Sequence, residues 1–137
     1  MELREVRPDA LDLRLGRLRH LPEVQIRQKL ESLKARGQLT PLLVCEQDGA
    51  LVLVDGFIRH LALIRLGQAT VAVEVVHLTT TEMKAQLYIR NRERGFVLLE
   101  ECRLVGELSA LDGLSQTEIG ELLLRHKSWV CRRMALV

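Results

Sequence analysis

Aromatic residues are scarce in this 137-residue chain: Phe57, Tyr88, Phe96 and Trp129 are the whole set. Leu and Val must therefore fill the core, and there is no aromatic platform on which single-stranded bases would stack. Only three cysteines occur, Cys45, Cys102 and Cys131, far apart and without a CxxC pair. That argues against a disulfide framework or a zinc site and fits a reducing cytoplasm. His20, His60, His77 and His126 show no metal-ligand spacing. No apolar run approaches the roughly 18 residues of a membrane span, and residues 1–7 are charged, unlike a signal peptide. Net charge is low as well, at +2, so composition alone does not mark a nucleic-acid binder.

What is present is a local imbalance. From residue 125 onward Arg125, Lys127, Arg132 and Arg133 occur with His126 and no acid. Such clustering is the footprint of a phosphate-binding surface, although a solvated helix face has the same composition.

Periodicity and punctuation place the elements. Leu11, Leu13 and Leu15 alternate, which predicts a short strand over residues 11–15 ending at Gly16. Ile26, Leu30 and Leu33 have helical spacing from Glu23, and Gly37 supplies the stop. Residues 41–45 read as a buried strand, Asp48-Gly49 as a hairpin turn and residues 50–54 as the returning strand. Asp55-Gly56 breaks that strand and leads into a helix over residues 57–66, closed by Gly67. Val71, Val73 and Val75 alternate in a further strand. Thr79 and Glu82 fit a capping box opening a helix that runs to about residue 92. After Gly95 no strand pattern remains. An amphipathic helix is predicted over residues 97–110, then a turn at Asp112-Gly113.

The last segment carries the most information. Ser115 and Glu118 form a second capping box, and Ile119, Leu122 and Leu123 continue that helix past the small residue Gly120. A break over residues 124–127 precedes another helix over residues 128–136, with Val130 and Met134 on its inner side. Two short helices, a tight turn and a basic second helix are the pattern of a helix-turn-helix, here residues 115–136. An ordinary helical hairpin docking a protein partner is the competing reading. For DNA, Ser115, Gln116, Lys127, Ser128, Trp129, Cys131 and Arg132 are the candidates at base edges and phosphates, and Arg125 and Arg133 at the DNA backbone. Trp129 also suits packing between the helices.

This pattern resembles the ParB family of partition proteins. Gly113-Leu114-Ser115-Gln116-Thr117-Glu118-Ile119-Gly120 looks like the family's Gly-Leu-Thr-Gln-Glu-Glu-Ile-Ala, and Lys127-Ser128-Trp129-Val130 like the start of its recognition helix. Leu124 stands where the family often has glycine. Upstream, residues 37–44 are similar to the Gly-x-x-Gln-Pro-x-x-Val box. Gly56, Arg59 and Ala62 match the Gly-Glu-Arg-Arg-x-Arg-Ala-Ala box, whose acid and two further arginines are missing here. Asn91 and Arg94 match Glu-Asn-x-x-Arg, with Arg90 in place of the acid.

The resemblance implies an α+β, ParB/sulfiredoxin-like N-terminal domain (residues 1–94) followed by an all-helical DNA-binding domain (residues 95–137). It implies a cytoplasmic homodimer bound to double-stranded DNA, associated with a bacterial nucleoid or plasmid, with a partition ATPase as a partner. It also implies CTP with Mg²⁺, held by Gly56, Phe57, Ile58, Arg59, His60, Asn91 and Arg94. Any CTPase activity would be weak, because the family's catalytic acid is absent. A second resemblance competes. Asp55-Gly56-Phe57-Ile58-Arg59 is similar to the Asp-Gly-x-x-Arg of ParB-fold kinases acting on free serine, with Asp55 or Glu74 as the base. It also looks like the Gly-Cys-His-Arg loop of sulfiredoxins, with Phe57 where the nucleophilic cysteine stands.

Overall fold

The structure, a computed structural model, describes residues 1–137 and divides into two compact units, Met1–Leu78 and Thr79–Val137. The first unit holds all five strands: β1 (Glu2–Val6), β2 (Leu11–Asp12), β3 (Leu42–Gln47), β4 (Ala50–Asp55) and β5 (Val71–Val76). It also holds helices α1 (Glu23–Arg36) and α2 (Phe57–Arg65). The second is all helix: α3 (Thr80–Asn91), α4 (Leu98–Ala110), α5 (Gln116–Leu123) and α6 (Lys127–Met134).

The strands form one mixed sheet in the order β1-β5-β3-β4-β2. β3 and β4 are an antiparallel hairpin whose turn residues Asp48 and Gly49 both have positive φ, 51° and 80°. That is the combination a two-residue turn needs to match strand twist. β5 runs parallel to β3 beyond the α2 crossover, and its Val71, Val73 and Val75 are buried while Glu74 is half-buried. α1 and α2 pack together and are tied at the surface by Arg65, which donates to both carboxylate oxygens of Glu23 at 2.6 and 3.0 Å. Gly37, at φ 72°, ends α1 as expected.

Two sequence expectations change here. The strand over residues 11–15 shrinks to Leu11–Asp12, paired with β4, and a 3-10 helix follows at Arg14–Leu18. Leu15 and Leu18 reach the core by three-residue spacing instead. Gly16 does not stop a strand; it lies inside the 3-10 turn, where an added Cβ would meet the Phe57 ring at 3.3 Å. The second change is β1, within residues that read only as charged. It is an edge strand paired antiparallel with β5, and nearly all its side chains are exposed. A strand held by its ladder rather than by an apolar face leaves no alternation to read.

In the second unit, Met83, Leu87, Tyr88, Leu104, Leu108, Ile119, Leu123 and Val130 form the core. One cation lies inside it. Lys84 on α3 is 2% exposed, and its ammonium sits 2.6 Å from Asp112 and 3.0 Å from Glu107. The Thr81 hydroxyl donates to the second Asp112 oxygen at 2.8 Å, so the buried charges are paired and hydrogen-bonded.

Candidate functional site

Two turns carry the residues singled out from the sequence. The first joins β4 to α2. Gly56 adopts φ 105°, and a Cβ there would stand 2.6 Å from Leu42 and 3.0 Å from the Arg59 guanidinium, so only glycine fits. Asp55 ends β4, pairs with Leu43, and lies 4.0 Å from Arg59. Arg59 turns back onto its own unit, donating to the Thr40 carbonyl at 2.9 Å and the Thr40 hydroxyl at 2.7 Å.

The neighbouring side chains are also engaged. Phe57 is buried against Gly16. His60 is fully buried with Nε2 2.7 Å from the Pro8 carbonyl. Both side chains are packed within the first unit. Ile58 is half-buried. What the turn offers is backbone: the first-turn N–H groups of α2 have no carbonyl behind them, and Gly56 keeps side-chain bulk away. Asn91 and Arg94 belong to the second unit. The Asn91 amide donates back to the Leu87 carbonyl at 2.7 Å, and Arg94 is exposed in the turn after α3.

The second turn joins α5 to α6. Ser115 and Glu118 form the predicted capping box: the hydroxyl accepts from the Glu118 N–H at 3.1 Å, and the carboxylate accepts from the Ser115 N–H at 2.9 Å. These backbone and side-chain bonds hold Glu118 below the usual carboxylate range, and Thr79 does the same for Glu82. Ser115 is exposed and Gln116 half-buried. Leu124 ends α5 in the left-handed region at φ 58° although it is not glycine.

Gly120 fits under this turn. A Cβ there would meet the Arg125 carbonyl at 2.7 Å, so the close approach is by the turn's own backbone. His126 then caps α6, its Nδ1 accepting from the Ser128 N–H at 3.1 Å. This cap starts α6 at Lys127, one residue before the expected start, and the helix ends at Met134 rather than residue 136.

α6 has two distinct sides. Trp129 and Val130 are buried, whereas Lys127, Ser128, Cys131 and Arg132 are exposed, as the spacing predicts. Trp129 anchors the helix, with its ring 5.6 Å from Tyr88 and guanidiniums of Arg125 and Arg133 at 5.1 and 4.4 Å from its centroid.

The two flanking arginines differ. Arg133 donates from Nε and Nη2 to Glu101 at 3.3 and 3.2 Å, which pairs its charge within the unit. Arg125 gives only Nε, to the Tyr88 hydroxyl at 2.7 Å. Burial pushes the Tyr88 phenol up, and the Arg125 hydrogen bond and charge pull against it. Tyr88, Glu101 and His126 were not among the sequence candidates. The first two act across 37 and 32 residues of chain, which local spacing does not reveal, and the His126 cap uses a residue type outside the usual cap set.

No family model matches this sequence, and no curated protein matches it. Solved structures do. The C-terminally truncated chromosome-partitioning protein ParB from Caulobacter crescentus, complexed with CTP-gamma-S, aligns with a TM-score of 0.62 and 25% identity over 99% of this chain and 78% of its own. The same truncated protein complexed to the centromeric parS site aligns at 0.65 and 25% identity over 97% and 71%. Sulfiredoxin from Arabidopsis thaliana aligns at 0.55 and 22% identity, covering 64% of this chain and 98% of its own. The chain therefore has a mixed α+β, ParB/sulfiredoxin-like fold.

Proposed function

We propose that this chain binds duplex DNA through α5 and α6 acting as a helix-turn-helix, in plasmid or chromosome partition or in regulation of a mobile element. One observation carries the reading. α6 presents Lys127, Ser128, Cys131 and Arg132 on its exposed side, while Trp129 and Val130 fasten the other side to the unit. A short rigid helix with outward donors and an exposed N-terminal end is the geometry that enters a major groove. The match to ParB complexed to parS supports it. Lys and Arg donors suit guanine edges and phosphates, and Ser128 takes either. Ser115 and Gln116, at the start of α5, would contact phosphates.

The proposal includes a homodimer on paired half-sites about one helical turn apart. Selection from a random duplex pool tests it, since a recovered palindrome supports both binding and dimerisation. With the selected duplex, Arg132→Ala is expected to weaken binding by about 1–3 kcal/mol and relax specificity at one position. A pool that yields no enriched sequence, with an affinity insensitive to salt, would instead favour the protein-docking reading. Residence on a nucleoid or plasmid, and an ATPase partner, follow from partition and stand or fall with it.

Nucleotide binding at the β4–α2 turn is a second reading, supported by the ParB complex with CTP-gamma-S. The residues fit a phosphate in part. Gly56 and the first-turn N–H groups of Phe57, Ile58 and Arg59 would hold phosphate oxygens, while the Arg59 guanidinium is already engaged by Thr40. CTP would supply its triphosphate as the group that is bound, and Arg90 stands where a magnesium-holding acid is expected. Asn91 and Arg94 remain the proposed further contacts. The expected outcome is calorimetric CTP binding without phosphate release in Mg²⁺. ATP binding with turnover of a small hydroxyl compound would favour the kinase reading.

A further inference from the structure

Arg125 is half-buried and is held at several points at once. Its backbone is fixed from below: its N–H donates to the Gly120 carbonyl at 2.8 Å, and its own carbonyl occupies the space a Gly120 side chain would take. Its Nε donates to the Tyr88 hydroxyl at 2.7 Å. Its guanidinium carbon lies 5.1 Å from the Trp129 ring centre and 5.7 Å from that of Tyr88. Tyr88 is itself rigid, fully buried and edge-on to Phe96 at 5.1 Å and 89°. The terminal nitrogens Nη1 and Nη2 make no hydrogen bond to the protein.

A guanidinium is a planar fork, and fixing the Nε edge aims the remaining donors. An arginine oriented in advance loses less side-chain entropy when it meets a two-oxygen acceptor. We infer that Arg125 is a pre-set phosphodiester clamp for the DNA backbone, and that buried Tyr88 is its positioning residue. This inference rests on the DNA-binding reading and deepens it. The clamp sits in the turn immediately before α6, beside exposed Lys127, where it sets how the helix is seated and reads no base.

The full-length chain is titrated with two duplexes, the one selected from the random pool and an unrelated one of equal length, over a range of salt concentrations. Arg125→Ala is expected to weaken both by about tenfold and to lower the salt slope by about 0.9. Tyr88→Phe keeps the ring and removes only the hydroxyl. It is expected to weaken both duplexes by about threefold to tenfold with the slope retained. The double variant should bind no more weakly than Arg125→Ala alone, because the hydroxyl acts only through that arginine. Arg125→Lys keeps the charge without the fork and should fall well short of the parent chain.

Unchanged affinity and slope in Arg125→Ala overturns the clamp while leaving DNA binding intact. Additive losses, or full activity in Arg125→Lys, overturn the positioning role. Should Tyr88→Phe fail to give a folded circular-dichroism melt, the Ala and Lys variants of Arg125 decide alone. A parent chain that binds neither duplex sinks the DNA reading, and the clamp with it.

Discussion

Two turns in this molecule place a positive-φ residue ahead of a helix and an arginine close behind it, yet the arginines end in opposite states. At the β4–α2 turn, Arg59 folds onto Thr40 and approaches Asp55, so its guanidinium joins parts of the first unit. At the α5–α6 turn, Arg125 uses one nitrogen on Tyr88 and leaves its terminal donors without a protein acceptor. The same residue type is a brace in one turn and an aimed donor in the other. The acceptors decide which. Carbonyl and hydroxyl oxygens crowd the first turn, whereas one buried phenol and an indole face border the second.

The sharpest way to break that contrast is at the glycine under the first arginine. Gly56→Ala adds a Cβ at φ 105° into Leu42 and Arg59, and we expect a loss of about 3 kcal/mol, read as a shift in urea midpoint. Next, Arg59→Ala should cost about 2 kcal/mol in the same assay, because the Thr40 oxygens lose a charged donor. It should leave DNA affinity of the folded protein untouched. Arg125→Ala should reverse the pattern, with a stability loss under about 1 kcal/mol beside its DNA defect. A stability loss equal to that of Arg59→Ala would erase the distinction between brace and aimed donor.

Smaller effects sharpen the second turn. Ser115→Ala removes the acceptor for the Glu118 N–H and should destabilise by about 1 kcal/mol. Leu124→Gly is expected to stabilise, by less than about 1 kcal/mol, since an exposed leucine at φ 58° gains no packing for its backbone strain. A lower melting temperature would mean that Leu124 has an unrecognised contact. The smallest effect is on pH. Glu82 and Glu118 are held below their ordinary value of 4.5 by bound N–H groups, so their contribution is complete above that pH and fades as pH falls through the lowered values. Glu118→Gln should flatten the acid limb of the stability curve.

Much of the architecture is legible in the sequence alone. Gly37 and Gly67 stop helices, Asp48-Gly49 turns a hairpin, and Thr79 and Ser115 open helices with reciprocal acid partners. Each is a device completed within a few residues, so its spacing survives in the sequence. β1 and the 3-10 turn after Asp12 were not legible. One is held by ladder hydrogen bonds that any side chains permit, and the other packs leucines at a spacing that resembles a short strand.

The candidate site divides in the same way. Local sequence determined that α6 exists, that it is basic, and that Lys127, Ser128, Cys131 and Arg132 share its outer side, because helical geometry alone assigns those directions. Only the tertiary structure decided what the remaining candidates do. His60 meets Pro8 across 52 residues, Arg133 meets Glu101 across 32, and Arg125 meets Tyr88 across 37. A charged or polar side chain takes its role from whichever acceptor folding brings within hydrogen-bond reach, and nothing in its own neighbourhood of sequence names that acceptor.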